Sequence, residues 1–159
     1  MSLADQALTE INAAHEYFNR STRNLTEAQA VLTPAPGMMT AAQQVAHAAQ
    51  TVDWFMEGTF RPEGFSLDFE EHARAVAAIT SMADARAWFE RAFAAARASI
   101  GGMSDEELLM PIAPGPIMGG APRFAMIGAI ADHTAHHRGA LTVYARLAGI
   151  VPLMPYMET

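Results

Sequence analysis

Three of the six histidines in this 159-residue chain fall in one short run, ADHTAHHRGAL, at positions 131–141. His133 and His137 stand four residues apart. On a helix they project from one face about one turn apart, the spacing by which one helix offers two imidazoles to a single ion. The stripe that holds them runs Met126, Ile130, His133, His137, Leu141 and Tyr144. Its apolar members imply that this face looks inward. An imidazole placed there needs a partner for its polar nitrogen, either a metal ion or a hydrogen bond from a neighbouring helix. His136 lies about 100° round the helix from His137, so the three cannot all meet one ion. It is expected outward or at a helix contact.

Two imidazoles make an incomplete transition-metal site, so a third ligand should come from elsewhere. The candidates are His15, His47 and His72. His72 follows Glu70 and Glu71 in a charged stretch and is expected to be solvated. His47 lies in AAQQVAHAAQTVDWF, where Gln43, Gln44, Gln50, Thr51 and Trp54 give its helix a polar lining. That lining is unusual inside a bundle and makes sense beside a ligand pocket. His47 is the expected third ligand, with His15 a pocket group or a support for a ligand. Arg138 is placed either to bind an anionic substrate or to pair with an acid on a neighbouring helix. Gly139, costly inside a helix, suggests a close helix crossing.

Composition narrows the chemistry further. The chain has no cysteine, which excludes disulfides, thiolate metal sites and a cysteine nucleophile. Any metal must be held by imidazole and oxygen. All ten basic residues are arginine, so a Schiff-base lysine and a P-loop lysine are excluded too. The arginines are scattered and the net charge is -7, a pattern without the basic stripe that nucleic-acid binding needs. The N-terminal residues lack the basic start and apolar run of a secretion signal. The least charged stretch, 103–130, is broken by Pro111, Pro114, Pro116 and Pro122, so no membrane span is expected. A soluble cytoplasmic protein acting on a small molecule is the expectation.

These residues must be positioned by helices. Leu8, Ile11, Ala14, Phe18 and Leu25 recur at helical steps and predict a first helix from about residue 3 to the mid-twenties. Thr40 caps a second helix, predicted to run to Glu57 and stop at Gly58. A loop over 58–69 and a short helix over 70–79 follow. Ser81 with Asp84 resembles a capping box for a third main helix, which Gly101 and Gly102 end. Ser104 with Glu107 marks another short turn. Residues 111–121 form a Pro/Gly-rich loop of the length that often shapes a site. Pro122 suits the first position of a fourth helix reaching about Ala148. With strand signals nearly absent, the fold expected is an all-α four-helix bundle. It should form one domain over 1–159, with one short connection and longer ones between helices 2–3 and 3–4.

The run H-T-A-H-H-R-G resembles the fourth-helix motif of the DinB (damage-inducible) superfamily, which includes the YfiT-like metalloproteins. His47, inside the second helix and seven residues before Trp54, matches that family's other ligand position. Ala140 departs from the pattern, standing where relatives commonly carry glutamine. The resemblance implies an up-down-down-up bundle, often a homodimer, holding a divalent nickel or zinc ion with His47, His133, His137 and water. It also implies, for several relatives, transfer chemistry on a low-molecular-weight thiol such as bacillithiol or mycothiol. Gln43, Gln44, Thr51, Tyr144 and the 111–121 loop would then wall the pocket. A metal-dependent hydrolase and a non-enzymatic metal- or ligand-binding stress protein are the alternatives. A ferritin-like di-iron centre is disfavoured because no Glu-x-x-His pair occurs.

Overall fold

The computed structural model describes residues 1–157. Six α-helices carry it: α1 (Leu3–Thr22), α2 (Ala41–Phe60), α3 (Phe69–Ala77), α4 (Met82–Gly101), α5 (Asp105–Leu109) and α6 (Ala125–Leu147). No strand is present among the described residues, only an isolated bridge between Pro111 and Pro122. The four long helices pack in a closed ring, α1 against α6 and α4, and α2 against α4 and α6. Helix α3 lies against α2.

Helix starts follow local chemistry. Ser2 with Asp5, Thr40 with Gln43, and Ser104 with Glu107 each form a reciprocal capping box. At α4 only half of the expected box forms: Ser81 accepts from the Asp84 amide, while Glu27 reaches across to the amides of Met82 and Ala83. Glu27 opens a short 3-10 turn in the first connection, residues 23–40. That connection is therefore not the short one expected. Helix α1 ends at Thr22, before the mid-twenties: the Thr22 carbonyl accepts from the Leu25 amide and from Arg86, which also donates to the Leu25 carbonyl.

Three boundaries differ from expectation for tertiary reasons. Helix α2 continues through Gly58 to Phe60. A Cβ at Gly58 would fall 2.3 Å from the Phe65 ring, so the glycine is a contact point and not a stop. Helix α3 starts one residue early, capped by Asp68, and ends at Ala77. Helix α6 begins at Ala125, because Pro122 is held opposite Pro111 and the amides of Arg123 and Phe124 bond to Met110 and Leu108. Gly139 marks no close crossing within the chain, since nothing lies within 4 Å of where its Cβ would stand.

The core explains the abundant alanine. Ala41, Ala42, Ala46, Ala48 and Ala49 of α2 are wholly buried, as are Ala85 and Ala96 of α4. Small side chains let these helices approach closely while Phe18, Phe89 and Phe93 fill the wider part of the ring. Helix α2 is consequently enclosed on most sides, with only Asp53 and Glu57 of its residues exposed.

Candidate metal centre

His47 from α2 and His133 and His137 from α6 meet where these two helices pack. One ligand-type nitrogen from each lies within 4.8 Å of the others, a cluster that could hold a metal ion. The ring centroids are 4.5 Å apart for His133 and His137, 4.8 Å for His47 and His137, and 5.1 Å for His47 and His133. No carboxylate belongs to the group.

A chain of hydrogen bonds behind His137 sets which of its nitrogens faces the cluster. The buried Tyr144 hydroxyl donates to the Met39 carbonyl at 2.6 Å. Its oxygen then accepts from Gln44 Nε2 at 3.4 Å, which turns Gln44 Oε1 toward His137. That oxygen accepts from His137 Nδ1–H at 2.5 Å. A neutral imidazole carries one proton, so Nε2 of His137 is left with its lone pair. This Nε2 lies 3.2 Å from Nε2 of His133. Two nitrogens bound to one tetrahedral zinc at 2.0–2.1 Å would stand about 3.3 Å apart, so the observed spacing fits a shared ion.

Electrostatics agree with neutral ligands. Burial, then the nearby His47 and His136, push His133 down to about 4. Burial, then His133, His47 and His136, push His137 down to about 3. Burial and His136 lower His47, opposed by the side chain of Gln50. All three are therefore unprotonated at neutral pH, the form in which imidazole binds metal.

The cluster opens on two sides. One cleft runs between α2 and α3, and the other between α6 and the stretch before α2. Met39, His47 and His133 border both. Gln43, Thr51 and Trp54 line the first, as expected of a pocket wall. Gln44 borders the second, and Tyr144 stands behind it instead of lining either cleft.

A family model, that of the DinB superfamily, matches residues 10–141. The chain belongs to the DinB superfamily. The match takes in every histidine of the chain, His15 included. No curated protein matches the chain.

Several residues sit elsewhere than this DinB chain's sequence implied. His15 is not at the cluster: its Nε2 lies 2.8 Å from Glu90, and its ring stacks on Phe89. His72 is half-buried beside Trp54 and lines the α2–α3 cleft, so it is not the solvated residue expected. Among the described residues Arg138 neither pairs with an acid nor borders either cleft. Its guanidinium lies over the Tyr17 and Tyr156 rings at 5.9 and 5.7 Å. The 111–121 loop closes on itself through Ile112–Ala121 and Gly120–Ile112 hydrogen bonds and borders neither cleft. Helix α3 supplies the wall in its place. The amphipathic spacing of residues 69–77 was the available signal. His136 is exposed and borders the second cleft, outside the three-histidine group.

The role of Gln44 is testable. Gln44→Leu leaves the buried Nδ1–H of His137 without an acceptor and frees the ring to turn. Metal affinity is expected to fall by about 10–100-fold, the usual cost of losing such a support. Competition with a chelating dye measures it; an unchanged affinity would show that packing alone orients His137.

Proposed function

We propose that His47, His133 and His137 bind a divalent zinc or nickel ion, and that this centre activates a low-molecular-weight thiol of the bacillithiol or mycothiol type for attack on an electrophile. One observation carries the reading: three neutral imidazoles converge beside two clefts in a chain that has no thiol of its own. When bound, an ion held without carboxylates keeps its full positive charge and lowers the pKa of a coordinated thiol or water.

The chain's residues divide the remaining work. Tyr144 and Gln44 hold His137 in one tautomer, and burial keeps the three rings unprotonated. The second cleft, bordered by Gln44, Asp132 and His136, is the entry for a hydrophilic thiol. The thiol gives its proton to solvent, its sulfur bonds to the electrophilic carbon, and the electron pair of the broken bond leaves with the displaced group. We extend the proposal to the up-down-down-up helix order, a single domain over the whole chain, a homodimer and a cytoplasmic location. No helix among the described residues is long and apolar enough to cross a membrane.

Hydrolysis is the second reading, and it gains a group that sequence reasoning did not credit. Asp132 borders the open cleft next to His133, where a base for water would stand.

Chelation tests the open-site idea. The buried core is large enough to hold the fold without an ion, so the helical circular-dichroism signal should persist with a moderate fall in Tm. The emptied protein should rebind cobalt, and 2-mercaptoethanol should then produce a sulfur-to-cobalt charge-transfer band. Cooperative unfolding on chelation would make the site structural. A folded cobalt protein without the thiol band would instead support hydrolysis or binding alone.

A further inference from the structure

The cleft between α2 and α3 differs from its neighbour in ways that bear on what fills it. Its volume is about 350 Å³, within the range of small-molecule pockets. Rings of Trp54, Phe55 and Phe69 border it together with Met39, Val76 and Ala77. No arginine, aspartate or glutamate lines it. Away from the histidine cluster, a carboxylate or phosphate held there would lose water without gaining a counter-charge from the lining side chains.

Helix α3 supplies an independent observation. Phe69, His72, Ala73, Val76 and Ala77 recur at three- and four-residue steps, so they share one face, and all five border the cleft. The apolar stripe of a surface helix ordinarily rests on neighbouring side chains. Here only Val76 of the stripe is buried; Ala73 and Ala77 are exposed and Phe69 is left 57% exposed. Apolar volume left unfilled costs stability that an apolar occupant recovers. Besides His47 and the Trp54 indole, which donates to the Ser66 carbonyl, the α2 wall offers Gln43, Gln50 and Thr51, of which Gln50 and Thr51 are buried. They suit one neutral polar substituent.

We infer that this cleft binds an uncharged, mainly apolar molecule of aromatic type, whose reacting end lies against His47 and His133. Its role as the electrophilic substrate rests on the thiol-transfer reading; the binding itself does not. The two reactants then approach the cluster from opposite sides, the apolar one through α2–α3 and the hydrophilic one through the cleft at Asp132 and His136. Specificity toward the electrophile resides in α3, whose face toward the cleft leaves Phe69, Ala73 and Ala77 exposed.

The test uses the full chain, metal-free, with 2-naphthalenemethanol as neutral probe and 2-naphthalenesulfonate as its charged counterpart. Calorimetric titration should show the alcohol binding at least tenfold more tightly than the sulfonate. Ala73→Phe and Ala77→Phe, at exposed positions on the α3 wall, should each weaken the alcohol at least tenfold with Tm unchanged. His137→Ala, outside this cleft, should lose metal yet keep the alcohol within twofold. Equal binding of the two probes, binding of neither, or full binding in both filled variants would overturn the inference. Alcohol binding as expected together with a missing cobalt–thiol band would keep the cleft and end the thiol-transfer reading.

Discussion

Replacing any one of His47, His133 or His137 with alanine is expected to lower metal affinity by at least about a hundredfold. Loss of a mere support to a ligand already costs about 10–100-fold, and each of these rings would supply a ligand atom itself. Nothing nearby can fill the vacancy, because among the described residues no other histidine, aspartate or glutamate joins the group. His15→Ala and His72→Ala should leave affinity within a few-fold. His15 is engaged by Glu90 and the Phe89 ring, and His72 borders the cleft without joining the cluster. His136→Ala is the sharper control, since its ring lies 4.8 Å from that of His137. Metal content of protein purified without a histidine tag decides the matter. Retention of full occupancy in His47→Ala would show that α6 alone holds the ion.

Below pH 6.5 the metal-free protein should lose stability through the same three rings. Burial foremost, reinforced by neighbouring imidazoles, holds His133 at about 4 and His137 at about 3, and lowers His47. In the unfolded chain each would bind a proton near 6.5. Between those values the unfolded state carries more protons than the folded one, so stability falls as pH falls. The contribution is intact above 6.5 and is lost progressively toward 4 and then 3. His133 is only half-buried, so the slope should be less than the full linkage value. A fall in Tm of about 5 °C between pH 7 and 5 is the expected scale. A His133→Asn, His137→Asn double variant should flatten that part of the profile. Parallel profiles for the two proteins would show that the rings protonate without strain on the fold. Bound zinc should hold the wild-type Tm level to lower pH, because the ion competes with the protons.

What could be read without the structure was local. The cap at Thr40 and the capping box at Ser104 act on residues three apart, so any chain that starts a helix there must bring them together. The pairing of His133 with His137 is of the same kind, since a four-residue step is one helical turn. The absence of cysteine restricted the chemistry to imidazole and oxygen before any fold was considered. The inward direction of the pair was legible from Met126, Ile130 and Leu141, all of which are buried.

Contacts between elements were decided by packing, which leaves little trace in local spacing. His15 and His47 both sit on helices with an apolar face, and periodicity cannot say which helix lies beside α6 at the right height. The structure sends His47 to the cluster and gives His15 to α4. Pro122 fits the first turn of a helix by its own geometry, yet the bridge to Pro111 holds it three residues outside. Gly58 reads as a stop, but the Phe65 ring occupying the space of its absent side chain lets α2 run on. Gln44 and Tyr144 looked like pocket wall because polar residues near a ligand usually are. Gln44 does border a cleft, but both also support His137, because α2 and α6 pack at a separation that a glutamine spans. The sequence alone thus determined the ligand chemistry and one half of the candidate site, through interactions within a single helical turn. Tertiary packing decided the third histidine, the tautomer of His137 and the α3 wall, because each depends on which helix face meets which.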